Sequence, residues 1–575
     1  MTEKLTMTTE RVDDIPVLLA QSEKMGIAEL LDASFQPHGN WEGTSLGWTT
    51  TIWLTHILSE GDHRMNQVQA WAATRLQTLQ KCSGQVIRDQ EWSDDRLSIV
   101  LDALGDDQQW QYFETALNRQ LVRVYHLKPK RVRVDSTTAS GYWTVTEEGL
   151  FQLGYSKDHR PDLPQLKVML SALDPLGLPV ATQVVSGERA DDLLYIPAIE
   201  QVSHSLNEHG LLYVGDCKMA ALETRAFLEA QQDYYLCPLA SKHLPEAVLA
   251  AYLRPVWAGT QPVTAVTRER EAGQPELIAE GYEQSVTLST AVKGKLITWT
   301  ERHLIVRSIK LAKAATEALQ ARLAKAQAEV GDLNEHKQGK KRYQDVVSLQ
   351  QAAQAILKRH RVDGLLKVTI REQAEERWVR AYGNRPAGVR VERALSVRSE
   401  VDTLAVQEAI RWLGWRVYAT NQAREALPLE QAVLAYREEY LVERGFGRLK
   451  GKPLSLSPMY VQSDQRATGL IRLLSIGLRI LTLLEFSARQ HLADTKATVA
   501  GLYAGNPKRT THRPTAEALL GAFQGVHLSE VSIGQQLHRH VTPLSEVQQH
   551  LLALLDLSPK LYDQLCADFS KPTWK

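Results

Sequence analysis

Residues 165–187 read QLKVMLSALDPLGLPVATQVVSG, and their patterning sets the fold class. Two runs rich in β-branched and aliphatic residues flank Pro175, Leu176 and Gly177, so the segment predicts an antiparallel hairpin. Just upstream, KPKRVRVDSTT (128–138) is a basic lead-in followed by alternation through Val132 and Val134 to Asp135. Downstream, a helix capped near Asp191 or Asp192 is expected to run to Asn207. LLYVGDCKM (211–219) then gives a short apolar strand ending at Asp216, followed by a helix to Ala230 and a strand at YYLCPL (234–239). Strand, hairpin, helix, strand, helix, strand describes a mixed α/β sheet. Asp135 and Asp216 are both expected at strand ends, where open α/β sheets place their ligands.

A second stretch, YREEYLVERGFGRLK (436–450), follows Pro428 and reads as a helix. Tyr436, Glu439, Glu443 and Lys450 fall within about a 60° stripe of an ideal helix. Val442, Phe446 and Leu449 form a separate apolar seam. Carboxylates with a lysine two turns beyond suit a metal ion beside a phosphate. The same spacing also describes a solvated helix face with ordinary Glu–Lys pairing. Asp216 has a similarly plain use as a helix N-cap. Three carboxylates from distant parts of the chain, meeting across a sheet edge, would hold Mg²⁺ through hard oxygen ligands.

The rest of the chain frames these segments. Its 575 residues predict several domains. Lys+Arg and Asp+Glu are equal at 67 each, so any nucleic-acid partner has to be met by local patches. Residues 301–380 carry 17 Lys+Arg against 10 Asp+Glu, with dense spots at KQGKKR (337–342) and KRHR (358–361). The four cysteines are scattered without a CxxC pair, which excludes a zinc knuckle and a disulfide framework by pattern. The polar N-terminus lacks the apolar core of a secretory signal. Residues 470–486, the most apolar window, carry two arginines and are too short to span a bilayer. Neither GxGxxG nor GKS/T occurs, so no nucleotide cofactor is expected.

Helical patterning covers 15–31, 46–58, 64–79 and 92–121, with Ser93 as a helix start, and suits DNA binding or dimerisation. Strands are expected within 263–308 and at WRVYATN (415–421). Between them lies a helix over 310–330 with Ala312, Ala315, Leu319, Leu323 and Val330 on one side. The long run 467–491 is expected to pack a Leu/Ile face inward and point arginines at a DNA backbone. Asp158, His159, Arg160 and Asp162 form a polar loop cluster. Trp143 and Trp378 are either packing residues or base-stacking platforms.

VDSTT, VGDCKM and Y-x2-E-x3-E-x6-K together resemble the three blocks of the DDE transposases of bacterial insertion sequences, in the IS4-like superfamily and its IS1634-type group. GYSKDHRPDLPQLKVML (154–170), HLIVRS before the Lys/Ala helix, and RPTAEALLGAF (513–523) resemble that group too. The resemblance implies an α/β, RNase H-like catalytic core interrupted by a mixed strand/helix insertion and flanked by helical N- and C-terminal regions. In this reading 1–125 is the helical N-terminal domain and 126–240 the first part of the core. The insertion is 241–425, the last core helices are 426–490, and 491–575 is the helical C-terminal region.

It further implies that Asp135, Asp216 and Glu443 bind Mg²⁺, with Mn²⁺ substituting. Tyr436 and Lys450 would contact DNA phosphate, with Arg444 and Arg448 as further DNA contacts. The expected activity is cleavage at the element's ends and joining of the 3′-hydroxyls to target DNA. Expected partners are double-stranded DNA, as terminal inverted repeats and target, and a second copy of the chain, with no membrane partner. The expected location is the bacterial cytoplasm, nucleoid-associated when DNA-bound. A silent DNA-binding descendant and a plain nuclease with the same core are the rivals. The sequence departs from the signature at Glu439, which stands where the pattern has arginine, and Gly445 and Gly447 each weaken the helix.

Overall fold

The computed structural model describes residues 5–36, 39–88, 90–269, 274–335, 343, 345–383, 386–533 and 536–567. The basic spot 337–342 lies outside them. The chain divides into two units. One is built from Met1–Cys237, Thr287–Thr300 and Ala435–Lys575, the other from Pro238–Val286 and Glu301–Leu434.

The chain opens with a strand, β1 (Leu5–Arg11), and seven helices. These are α1 (Ile15–Lys24), α2 (Ile27–Ser34), α3 (Leu46–Glu60), α4 (Met65–Ala73), α5 (Leu76–Ser83), α6 (Asp94–Leu104) and α7 (Asp107–Val124). Three of the expected runs are each two helices. The first breaks at Gly26, whose φ of +69° is a left-handed conformation that glycine adopts without steric cost. Ser93 caps α6 by accepting the Arg96 N–H.

Next come β2 (Arg131–Ser140), β3 (Gln165–Leu173) and β4 (Leu178–Ser186), an antiparallel set in which β3 and β4 are the expected hairpin. A short 3₁₀ turn leads into α8 (Tyr195–Leu206), then β5 (Leu212–Gly215), α9 (Leu222–Ala230) and β6 (Tyr234–Pro238). β2 pairs in parallel with β5, and β5 with β6, giving the order β4-β3-β2-β5-β6. The result is a mixed sheet with crossover helices.

The second unit contains α10 (Glu246–Trp257), β7 (Thr264–Glu269), and the long strands β8 (Pro275–Val292) and β9 (Lys295–Ser308), whose tip residues Thr287–Thr300 belong to the first unit. Then follow α11 (Ile309–Asp332), α12 (Val346–His360), β10 (Leu366–Val379), β11 (Gly388–Val401), α13 (Thr403–Arg411) and β12 (Trp415–Thr420). Strands run in the order β12-β9-β8-β7. A separate core forms where Leu319, Leu323 and Val330 of α11 meet Leu349, Ala353 and Leu357 of α12 beneath the β10–β11 hairpin. At the end of α12, Arg359 and His360 pair with Glu329, so part of the KRHR spot is neutralised locally.

After α14 (Leu429–Arg437), within which the first unit resumes at Ala435, come α15 (Tyr440–Lys450), α16 (Asp464–Asp494), α17 (Ala516–Gly521), β13 (His527–Ile533), β14 (Gln536–Val541), α18 (Glu546–Leu554) and α19 (Lys560–Asp563). Neither end of the chain is wholly helical as expected. β1 pairs antiparallel with β13, and β13 with β14, in a three-stranded sheet shared by the two ends. The exposed, Thr-rich β1 offers too little apolar surface to signal a strand by burial pattern.

At the centre lies α16, 31 residues long. It is long and apolar enough to cross a membrane, contrary to the expectation from its most apolar window, but 94% of its qualifying stretch is buried inside the protein. Two of its arginines, Arg472 and Arg479, are buried. Arg479, fully buried, donates to Glu114 and to the Pro179 carbonyl at 3.0 Å, while Arg472 binds Asp107 and the Leu104 carbonyl. The reason is packing around the middle of the helix, which leaves a buried guanidinium stable only where it is paired: Arg479 with buried Glu114, Arg472 with the exposed Asp107. Helix α16 also lies so close to α6 that a Cβ at Gly469 would stand 2.0 Å from the Leu101 carbonyl oxygen.

Arg479→Met is expected to destabilise the first unit by about 3–5 kcal/mol, because it strands Glu114 without its counter-charge. Replacing Glu114 by Leu as well should restore most of that loss, as read by calorimetric melting.

Candidate active site

Strand β2 places Arg133 and Asp135 on one face and Val132 and Val134 on the other, the ordinary alternation of a strand. Parallel pairing with β5 ends at Val134 opposite Gly215. The next residue on each strand is therefore an aspartate, Asp135 beside Asp216. Asp135 is not at the end of its own strand as expected, since β2 continues to Ser140 along β3. It stands where the parallel neighbour stops. Beyond Gly215, β5 gives way to the turn into α9, and that divergence opens a cleft.

The cleft is lined by Arg133, Val134, Asp135, Val214, Gly215, Asp216, Tyr436, Glu439 and Val442. Asp135 Oδ1 accepts from its neighbour's N–H, Ser136 N, at 2.7 Å and lies 3.3 Å from Lys157 Nζ. Asp216 Oδ1 accepts from Tyr195 Oη at 2.6 Å and from Lys218 N at 2.8 Å. Burial raises the Asp135 pKa from its ordinary value, against the pull of Lys157, and Asp216 adds to the rise. Burial raises the Tyr195 pKa as well, with Asp216 and Asp135 adding, so its hydroxyl stays a donor.

The stretch 436–450 is not one helix. Helix α14 stops at Arg437, α15 starts at Tyr440, and Glu439 sits at the junction as the residue preceding α15. The single stripe expected from an ideal helix is therefore split. Tyr436 and Glu439 line the cleft, while Glu443 is exposed in the first turn of α15. Glu439 has its pKa raised by burial and by the charges of Asp135, Glu443 and Asp216, so it is the group that feels all the acids. The apolar seam Val442, Phe446 and Leu449 is buried as expected, and α15 stays helical through Gly445 and Gly447.

What holds the junction in place is a clamp formed by the basic lead-in to β2. Buried Arg133 pairs with Asp174 Oδ1 at 2.8 Å and donates to the Ala435 carbonyl; Arg131 pairs with Glu438 at 3.0 Å. Strand β2 thus grips the segment that carries Tyr436 and Glu439. Alternation alone placed Arg133 on the Asp135 face, which was the available signal.

Lys450 lies 2.7 Å from Asp158 Oδ1 at the end of α15. Arg444 and Arg448, expected to contact DNA, are otherwise engaged. Both bind Glu485, and Arg448, which is buried, also binds Glu517 at 2.7 Å, so they dock α15 on α16 and α17. Trp143 is buried and stacked on Phe151, whereas Trp378 is exposed on β10.

Among the described residues, no three His, Cys, Asp or Glu side chains are gathered closely enough to hold an ion as they stand. The donor chemistry fits a hard divalent cation. The cleft acids offer only carboxylate oxygens, and Oδ2 of both Asp135 and Asp216 has no hydrogen bond among the described residues.

No family model matches the sequence, and no curated protein does. Among solved structures, the chain is similar to the piggyBac transposase synaptic complex with hairpin DNA, at a TM-score of 0.24 and 11% identity over 53% of this chain. It spans 63% of the length of that chain.

Asp135 and Glu439 are penalised in their charged form by folding, so their contribution to stability is greatest when protonated and is lost as pH rises through the folded pKa. Asp135→Asn is accordingly expected to raise the melting temperature at neutral pH, with the gain shrinking as the buffer is acidified through the raised folded pKa and gone once the ordinary carboxylate value is reached.

Proposed function

We propose that this chain is a DNA transposase of the DDE kind, IS4-like and of the IS1634 type, with β2 to β6 and their helices as an RNase H-like core. The observation that carries the reading is the β2–β5 register, which sets Asp135 and Asp216 side by side over a cleft that also receives Glu439. The proposed task is cutting at the ends of an insertion sequence and joining the 3′-ends to target DNA, with two copies acting on paired ends.

In this reading Asp135, Asp216 and Glu443 would hold Mg²⁺, or Mn²⁺ in its place, and Glu439 would add negative charge from the junction. A divalent cation bound there would supply activation of the attacking oxygen and charge stabilisation of the leaving one. The chain's own groups do the rest. Tyr195 and the Lys218 N–H fix the carboxylate of Asp216 by holding Oδ1, which leaves Oδ2 directed elsewhere. Arg133 and Arg131 keep the 435–439 segment against β2, so the acids stay at one level. Lys450, at the end of α15, offers a primary ammonium to a DNA phosphate, and Tyr436, which lines the cleft, is a second positioning group.

The test is to incubate the protein with labelled end-sequence DNA and Mg²⁺ and to score nicking and joining. Asp135→Asn and Asp216→Asn are each expected to reduce both by more than about a hundredfold, beyond the usual loss for a supporting contact. Cutting without joining would favour a nuclease, and sequence-specific binding unaffected by these changes and without cleavage a silent binder. Lys450→Ala should lower DNA affinity across sequences and reduce the salt slope of binding by about one.

A further inference from the structure

We propose that Lys157 and Asp158 are built-in stand-ins for the two ligands of this site. Lys157 takes the cation's place at Asp135 and Asp158 takes the DNA phosphate's place at Lys450, so their loop has to move before the site is loaded. The inference rests on the functional reading above and concerns its regulation.

The loop is residues 153–164, and its base is closed. Gln152 and Gln165 exchange backbone hydrogen bonds at 3.0 and 2.9 Å, and Gln165 Nε2 donates to the Tyr155 carbonyl at 2.9 Å. A loop whose ends meet in this way can lift as a unit without disturbing the strands that bear it. From this base the loop reaches back over β2. The Lys157 N–H donates to Thr138 Oγ1 at 3.1 Å, and Thr138 Oγ1 in turn donates to Asp158 Oδ2 at 3.3 Å.

Two consecutive residues of opposite charge then meet two site residues of opposite charge. Lys157 Nζ is 3.3 Å from Asp135 Oδ1 and 2.6 Å from the Ser136 carbonyl, so an ammonium already sets a positive charge against the carboxylate that a cation would use. Asp158 Oδ1 is 2.7 Å from Lys450 Nζ, so a carboxylate sits on the ammonium that a phosphate would use. Either pair alone is an ordinary salt bridge. Together they neutralise both halves of the site through one dipeptide.

The pairs are also accessible. Side-chain exposure is 31% for Lys157 and 32% for Asp158, against 19% for Asp135 and 22% for Lys450. Such pairs are weak and exchange readily, and a divalent cation or a polyanion brings more charge than the group it replaces. The loop's other pair, Arg160 with Asp162 at 2.7 Å, closes within the loop and touches neither Asp135 nor Lys450. It provides the control.

The experiment uses the full-length chain. Mn²⁺ binding is followed by electron paramagnetic resonance without DNA, and binding of labelled end-sequence DNA is followed in EDTA. Lys157→Met is expected to tighten Mn²⁺ binding about three- to tenfold, and Asp158→Asn to tighten DNA binding by a similar factor. Arg160→Met, measured with Mn²⁺, and Asp162→Asn, measured with DNA, should stay near wild type, although each makes the same charge change in the same loop. Unchanged or weaker binding in Lys157→Met and Asp158→Asn would overturn the proposal, as would equal gains in the controls. If Asp135→Asn leaves Mn²⁺ binding untouched, the acidic cleft is not a cation site, and both this inference and the functional reading fall.

Discussion

Parallel hydrogen bonding between two short strands is the constraint from which the rest of this site follows. β2 and β5 pair over only four positions, and both chains present an aspartate at the very next residue. A one-residue slip would turn one of the two carboxylates to the opposite face, since side chains alternate along a strand. The hydrophobic residues Val132, Val134, Tyr213 and Val214 fix that register by burial, so the packing of the sheet interior sets the spacing of the acids at its edge. Arg133 extends the same logic to a third segment by tying it to the strand that bears Asp135.

Around this sheet several charged side chains are buried against a partner of opposite charge. Arg133 with Asp174, Arg479 with Glu114, and Arg448 with Glu485 each join elements far apart in sequence. Such pairs contribute little net stability when compared with apolar packing, but each is satisfied in only one arrangement of its partners. Helix α16 carries or receives several of them, and it is against this helix that α15, with Glu443 and Lys450, is docked.

Much of the sheet was legible in the sequence because its strands obey simple local rules. The hairpin at 165–187 has turn chemistry between two β-branched runs, and the segment ending at Asp216 is a short apolar run between two helical patterns. The splitting of 436–450 was not legible. An ideal helix drawn through Tyr436, Glu439, Glu443 and Lys450 makes one stripe, and nothing local marks the break at Glu438 and Glu439. That break follows from contacts of Arg131 and Arg133 some 300 residues earlier in the chain. The arginines of α15 and α16 were misread for a related reason. A basic residue on a patterned helix looks solvent-facing until the acid that buries it, such as Glu114 or Glu517, is known to lie opposite. Strand β1 was missed because most of it is exposed, so its pairing depends on backbone hydrogen bonds rather than on a periodic apolar face.

That strand has a consequence for how the protein is made. Leu5 to Arg11 find their partners at His527 to Ile533, so a ribosome releases the first strand long before its mate exists. Until His527 to Ile533 have been synthesised, those residues must wait unpaired with their amide groups in water, which the threonine-rich, weakly apolar sequence LTMTTER tolerates without inviting aggregation. The β1–β13 pairing therefore has to wait for more than 500 intervening residues to be synthesised.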